Sequence, residues 1–450
     1  MIKLYNSKSR KKEDFKPLKE RVGLYTCGPT VYDYAHIGNL RAYLFEDLLK
    51  RTLLYNGHDV KHVMNITDVG HLVSDDDSGE DKVEKKAREE SRDAWELTQF
   101  YTEQFKKDIK KLNIKNPDVY VKATETIDDQ IDLVKELEKK GFTYEIEDGI
   151  YFDTSKLDDY GKMANLDQLE AGKRVEMKEK KNPTDFALWK FSKPDENRQM
   201  EWPSPWGVGF PGWHTECVVM AKENLGIPFD IHCGGIDHIE IHHPNEIAQS
   251  KAAYGKNPAN FWMHGEFLTV KEEKMSKSKG NFYTLKDITE NYSPLAYRYL
   301  CLNSHYRSKM NFSEEALEGA QNSLQKMRGR VQSFGSKSGK ISEKYKDKFL
   351  SAINDDLSSP QSLKVAWNLL KDKSVSPEDK KQTILDFDLV LGLNLDTKLE
   401  IPKKVKDLAE RRKSLRQDGQ YEEADRVRKE INELGYKIED IKTGYKLKKI

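Results

Sequence analysis

The feature that most constrains the fold is the stretch "VGLYTCGPTVYDYAHIGNLRAYLFEDLLKRTLLYNGHDV", residues 22–60, which reads as a strand, a glycine-containing loop and a long amphipathic helix. "KHVMNITDVG" then reads as a second strand. A strand, a crossover helix and a strand imply a parallel α/β sheet. The pattern resumes in "GFPGWHTECVVMAKENLGIPFDIHCGGIDHIEIHHPNEIAQSKAAYG" as helix, strand, glycine-rich turn and helix. Between the two halves, about 120–200, a helix, short strand signals and a lysine-rich loop look like an insertion. A split sheet of this kind brings its strand ends together, and in open α/β sheets ligands bind at the carboxyl ends. After about residue 315 the pattern is wholly helical, with a helical hairpin expected about Asp418-Gly419. The charge run "SDDDSGEDKVEKKAREESRD" reads as a solvated loop and helix face.

Composition narrows the class. A length of 450 residues suits two to four domains, and 37% hydrophobic residues supply real cores. Lys+Arg and Asp+Glu are equal at 76 each, but zero net charge does not exclude nucleic acid, which is met by a local basic face. No apolar run reaches membrane-spanning length, and "MIKLYNSKSRKKEDF" lacks the apolar core of a signal peptide. Four cysteines at 27, 217, 233 and 301 are too scattered for a disulfide framework, so a reducing cytoplasm is expected. There a useful cysteine is a ligand or a nucleophile.

"HHPNEIAQS", 242–250, raises a metal question, because His242 and Glu246 stand close enough to share an ion. Pro244 falls in the first turn of the expected helix, leaving His242 just before it, so i, i+4 geometry is only approximate. Cys27 ends a strand and Cys217 lies in "GWHTEC". Two thiolates, an imidazole and a carboxylate suit tetrahedral Zn²⁺ better than Mg²⁺ or Ca²⁺. By spacing alone, two buried free cysteines and a satisfied histidine explain the same residues, and His243 and Cys233 compete for ligand roles.

Two motifs are more specific: "AHIGN" at 35–39, opening the first long helix, and "KMSKSKGN" at 274–281. In this order they resemble the two signatures of class I aminoacyl-tRNA synthetases. With "YTCGPTVYDYAHIGN", "PGWHTEC", "FDIHCGGID", "HHPNEIAQS" and the tail "YEEADRVRKEINELGYKIED", essentially the whole chain resembles the cysteinyl-tRNA synthetase family. The resemblance implies a Rossmann-like catalytic domain (1–120 and 201–270) split by a connective segment (121–200). It further implies a KMSKS-loop linker region (271–315), a helical bundle (316–400) and an anticodon-binding module (401–450).

It also implies the activity: cysteine and ATP form cysteinyl-adenylate, and cysteine passes to the 3′ end of tRNA(Cys). His36, Gly38, Asn39, Lys274 and Lys277 are the implied ATP residues, with His36, Asn39 and the two lysines catalytic, and Mg²⁺ is expected to accompany ATP. One Zn²⁺ per chain, held by Cys27, Cys217, His242 and Glu246, is implied to select the substrate thiol over a serine hydroxyl, a distinction that shape alone makes poorly. Thr67, Trp213, His232 and Asp237 match amino-acid pocket positions. A monomer acting in the cytoplasm, away from membranes, is the expectation. Asn39 replaces the usual histidine, Pro244 a frequent glutamate and Cys233 a frequent glycine, and "VGHLVSDDD" departs from the acidic pair and lysine that often follow "NITD". The alternatives are a cysteine ligase acting on a small-molecule amine such as an amino sugar, and a non-catalytic RNA- or nucleotide-binding relative. The basic tail, with Arg411, Arg412, Lys413, Arg416, Arg426, Arg428 and Lys429, is expected to read RNA or to be a salt-bridged helix pair.

Overall fold

A computed structural model describes residues 1–70, 72, 80–164, 179–193, 197–275, 281–397, 403–441 and 444–449. Its centre is a five-stranded parallel sheet of β1 (Arg21–Thr26), β2 (Asp59–Ile66), β3 (Val119–Lys122), β4 (Phe229–Gly235) and β5 (Ala259–Gly265). The spatial order is β5-β4-β1-β2-β3, every pair parallel. The order reverses between β1 and β4, and such a switch point opens a crevice at the strand ends. Here the peptide N–H of Cys27, just past β1, donates to the Cys233 carbonyl on β4 over 3.0 Å.

Helix α1 (Ile37–Tyr55) crosses from β1 to β2, and α2 (Lys82–Glu90) and α3 (Ala94–Lys111) lead to β3. Helix α4 (Trp213–Leu225) precedes β4, and α5 (His242–Tyr254) joins β4 to β5. Val22, Leu24, Val60, Val63, Ile231 and Trp262 lie in the sheet core under Leu40, Leu48 and Leu49 of α1. β1 and β4 are buried almost throughout, as expected of strands covered by helices on both faces.

An antiparallel sheet of Thr143–Ile146, Gly149–Phe152, Phe186–Phe191 and Gly209–Pro211 interrupts this α/β unit. With the helix Ile127–Lys139 it has its own core, in which Phe142, Phe152 and Phe186 stack. Its last strand runs straight into α4, so the inserted sheet sets where Trp213 meets the crevice.

Beyond β5, Leu268–Val270 pairs with the short strand Glu273–Lys274 through a turn in which Lys271 and Glu272 both take positive φ, the geometry of a tight hairpin. Helices Glu314–Ser333, Glu343–Ile353, Ser359–Lys371 and Pro377–Leu391 follow. The expected hairpin forms from Lys403–Gln417 and Tyr421–Glu433, turning at Gly419 with φ +76°. The all-helical reading stops there: Tyr436–Ile441 and Gly444–Lys449 pair as antiparallel strands. Tyr436 and Ile438 alternate inward with Lys437 and Glu439 outward, a period of two that no helix accommodates.

Candidate active site

The crevice at the switch point is a cleft of about 340 Å³. One wall begins at α1. His36 caps the helix: its Nδ1 accepts from the Asn39 peptide N–H at 3.1 Å, and Asn39 Oδ1 accepts the His36 N–H at 3.2 Å. This reciprocal box puts the imidazole proton on Nε2 and directs the Asn39 amide NH₂ outward. The peptide N–H groups of a helix start favour an anion such as phosphate. Gly38 is required by close packing, since a Cβ there would meet Met275 Cε at 2.7 Å and His36 Cε1 at 2.9 Å. Met275 and Phe282 line the same wall, and Phe282 meets the His36 ring edge-on at 5.4 Å. Met275 of "KMSKSKGN" and Phe282 just past it are therefore folded against "HIGN". For Lys274 the backbone position is described, opposite Thr269; Lys277 lies outside the described residues.

At the floor of the cleft the sulfur, imidazole and carboxylate groups converge. Ligand atoms of Cys27, Cys217, His242 and Glu246 lie within 4.8 Å of one another, all buried. A second set, Cys27, His232, His243 and Glu246, meets the same test. His243 Nε2 is 3.4 Å from Cys27 Sγ, and His232 Nε2 is 2.8 Å from Glu246 Oε2. Cys27 and His242 also line the cleft, whereas Cys217, His232 and His243 do not. The position of His242 differs from the sequence expectation: α5 begins at His242 itself, so His242 and Glu246 are a true i, i+4 pair, with Nε2 to Oε1 3.1 Å. Pro244 allows this because the first N–H groups of a helix have no partner within it.

Thiols, imidazoles and a carboxylate are crowded together in this buried cluster. Hydrogen bonding with Cys27 holds the Cys217 thiol down to about 6, against burial and Glu246. Burial pushes the Cys27 thiol up, and its bond to Cys217 adds to this. Burial opposes charge on His242, but Glu246 and Cys217 outweigh it and lift the imidazole to about 10. Burial likewise opposes charge on Glu246, and His232 and His242 reverse it to about 2. Glu246 Oε1 is buried with no hydrogen bond of good geometry. Sulfur, imidazole and carboxylate donors gathered in one buried cluster fit a divalent, sulfur-tolerant ion. His242 Nδ1 is held by His214 Nδ1 at 2.9 Å, which turns Nε2 toward the cluster, the usual role of a group behind a metal-binding histidine.

Thr67, Trp213 and Asp237 line the cleft beside this cluster. Trp213 stacks on His242, centroids 4.3 Å apart. Thr67 Oγ1 donates to Glu216 Oε2 at 2.8 Å and accepts from Asn65 Nδ2 at 3.0 Å. Gly235 lacks the Cβ that would meet Asp237 Oδ1 at 2.4 Å. His232 is not in the wall; it lies under the floor against Glu246 and Trp262. Cys233 is buried in the sheet core and belongs to neither ligand set.

Sequence reasoning missed the second wall. Tyr32, Tyr34, Lys82 and Tyr101 line it. Lys82 belongs to the run read as a solvated face, and there the reading fails: Asp81 and Glu84 are buried. Asp81 Oδ1 caps α2 through Val83 and Glu84, while Oδ2 accepts the Gly70 N–H and pairs with Arg198 at 2.5 Å. Aspartate followed by a helical run is a cap signal that the sequence carried.

A family description, tRNA synthetases class I (C) catalytic domain, matches residues 14–322. The cysteine--tRNA ligase 1 of Burkholderia lata is 47% identical over 99% of this chain and 96% of its own length. The cysteine--tRNA ligase of Treponema denticola is 43% identical over 98% of both. Among solved structures, a Mycobacterium tuberculosis methionyl-tRNA synthetase in complex with methionyl-adenylate aligns with TM-score 0.56, covering 83% of this chain and 90% of its own at 15% identity. An Agrobacterium radiobacter LeuRS in a ternary complex with tRNA aligns with TM-score 0.61 over 84% of each chain at 12% identity. These two likenesses show the fold.

Proposed function

The chain belongs to the cysteine--tRNA ligase family of class I tRNA synthetases, and on that premise we propose how its cleft joins cysteine to tRNA(Cys). The observation that carries the reading is one cleft with a phosphate-suited helix start on its wall and a thiolate-rich cluster at its floor. The cysteine carboxylate attacks the ATP α-phosphate, diphosphate leaves, and the tRNA 3′-terminal hydroxyl then takes the cysteinyl group and releases AMP. No protein nucleophile is needed, so the protein positions groups and stabilises charge. His36 and Asn39 donate to the phosphates, and Lys274 and Lys277 bring cations to the departing diphosphate. Gly38 adds no side chain to the wall that the nucleotide meets.

Cys27, Cys217, His242 and Glu246 are the set we assign to Zn²⁺, because two thiolates suit it and this set reaches the cleft through Cys27 and His242. Bound there, Zn²⁺ would supply affinity for a thiolate over a hydroxyl. Trp213, Thr67 and Asp237 confine the amino acid, and His232 orients Glu246 from beneath. ATP brings Mg²⁺.

In domain terms, 1–120 and 201–270 form the catalytic unit around the connective segment 121–200. Residues 271–315 carry the signature loop, 316–400 the bundle and 401–450 the anticodon-binding module. We assign the chain as a cytoplasmic monomer, and no helix among the described residues is long and apolar enough to cross a membrane. The small-molecule ligase reading is not favoured, because the cysteine--tRNA ligases match through the tail.

The test is aminoacylation with cysteine and total tRNA. Cysteine should become acid-precipitable only with both ATP and tRNA. Pyrophosphate exchange with cysteine but no charging of any tRNA would overturn the reading.

A further inference from the structure

We propose that the second wall of the cleft, Tyr34 with Lys82, seats the 3′-terminal nucleotide of the tRNA. The base stacks on Tyr34 and the adjoining phosphate meets Lys82. The inference rests on the tRNA-charging reading above and adds the place where the second substrate enters.

Three observations carry it. First, the cleft has two chemically different sides. The side of Gly38, Met275 and Phe282 adjoins the start of α1, where nucleotide phosphate is favoured. The side of Tyr34, Lys82 and Tyr101 instead brings aromatic rings and a cation together. Second, Tyr34 is 39% exposed although it sits in a built aromatic group. It meets Tyr101 edge-on at 5.2 Å and Phe100 at 6.3 Å, and the Arg92 guanidinium lies over Phe100 at 4.9 Å. A half-exposed ring supported from behind is what a single-stranded base stacks upon, and neighbouring cations follow its backbone. Third, Lys82 is held in place. It is the first residue of α2, whose start is pinned by Asp81 to Gly70 and Arg198, while Glu84 accepts the Gln199 and Met200 N–H groups at 3.0 and 2.9 Å. Arg198 in turn lies 3.5 Å over the Phe210 ring. These buried contacts to 197–200 deliver one lysine into the cleft 6.0 Å from the Tyr32 ring.

The experiment uses the full-length, zinc-loaded protein and the variants Tyr34→Ala, Tyr34→Phe, Lys82→Met and Lys85→Met, the last an exposed control on the same helix. Zinc content and cysteine-dependent ATP–pyrophosphate exchange, which involve no tRNA, report that the adenylate site is intact; both should stay within about twofold of the parent. Single-turnover transfer from preformed adenylate to tRNA should fall about tenfold or more in Tyr34→Ala and Lys82→Met, and stay near the parent rate in Tyr34→Phe and Lys85→Met.

A second readout is competition by tRNA lacking its terminal adenosine against tRNA ending in a dideoxy adenosine. The parent should bind the complete tRNA more tightly, and that preference should vanish in Tyr34→Ala. Exchange falling in step with transfer would overturn the proposal by moving Lys82 or Tyr34 to the adenylate. Unchanged transfer with an unchanged preference for the terminal adenosine would overturn it by showing that the platform is not used. A parent protein that formed adenylate but charged no tRNA would remove the premise instead.

Discussion

At the scale of single residues, the cleft divides its work by the chemistry of each side chain. Cys217 is held toward its thiolate by Cys27, and a hydroxyl at that position is a poor replacement ligand. Cys217→Ser should therefore lose most of the zinc, as elemental analysis will show, and with it discrimination against serine. A full metal complement in that variant would remove Cys217 from the ligand set. His214 acts one step back, through its 2.9 Å contact with His242 Nδ1. His214→Ala should weaken zinc about 10–100-fold in a chelator competition without removing any ligand. Lys277→Ala tests the signature loop. A cation that meets diphosphate mainly in the transition state lowers the rate more than ground-state affinity. Adenylate formation in rapid quench should slow about tenfold or more while the apparent affinity for cysteine changes little.

At the scale of elements, α1 is tied into the molecule by buried charge. Asp47 on α1 pairs with Arg298 at 2.6 Å and with Arg51 at 2.7 Å, all three buried. Arg298 also donates to the carbonyls of Leu391 and Leu112, joining the sheet to the helical region. Burial alone would raise the Asp47 carboxyl, but Arg298 and Arg51 outweigh it and hold it below the ordinary range. Its contribution to stability is thus present above the unfolded pKa and is lost as pH falls through the folded one. Arg298→Met leaves a buried carboxylate short of a partner and should cost about 3–5 kcal/mol in urea unfolding near neutral pH. The deficit should shrink at about pH 5, because the variant's Asp47 then takes up a proton that its folded state favours. A deficit independent of pH would mean that the loss is one of packing alone.

At the scale of the whole molecule, the tail has an apolar core of its own. Val405, Leu408, Ala409, Val427, Ile431, Tyr436 and Ile438 form a cluster distinct from that of the sheet. Within it Arg412 is buried and bidentate to Asp440 at 2.8 and 3.1 Å, so one of the basic residues expected to meet RNA is structural. Arg426 has a side chain 77% exposed, paired at the surface with Glu423 over 3.8 Å. Deleting 403–450 should leave zinc content and pyrophosphate exchange nearly intact and sharply reduce charging, more so at higher salt as the remaining phosphate contacts weaken. A folded truncation that charges tRNA like the full chain would reduce this module to a helical cap.

What the sequence by itself determined is what depends on local pattern. Alternating strand and helix periods announced the split parallel sheet, "HIGN" announced the start of α1, and a glycine after Asp418 announced the tail hairpin. Only the tertiary structure decided matters of convergence. Cys27 and Cys217 stand 190 positions apart in the chain, and the packing of α4 against β1 brings their sulfurs together. His232 stands in a strand beside the site, yet its side chain lies beneath Glu246 and against Trp262. Asp81 and Lys82 sit in a run whose average charge reads as solvated, because a composition window cannot show that one carboxylate turns inward to Arg198 and the next residue turns into the cleft. Burial of a charge is set by its partner, and that partner lies 117 residues away.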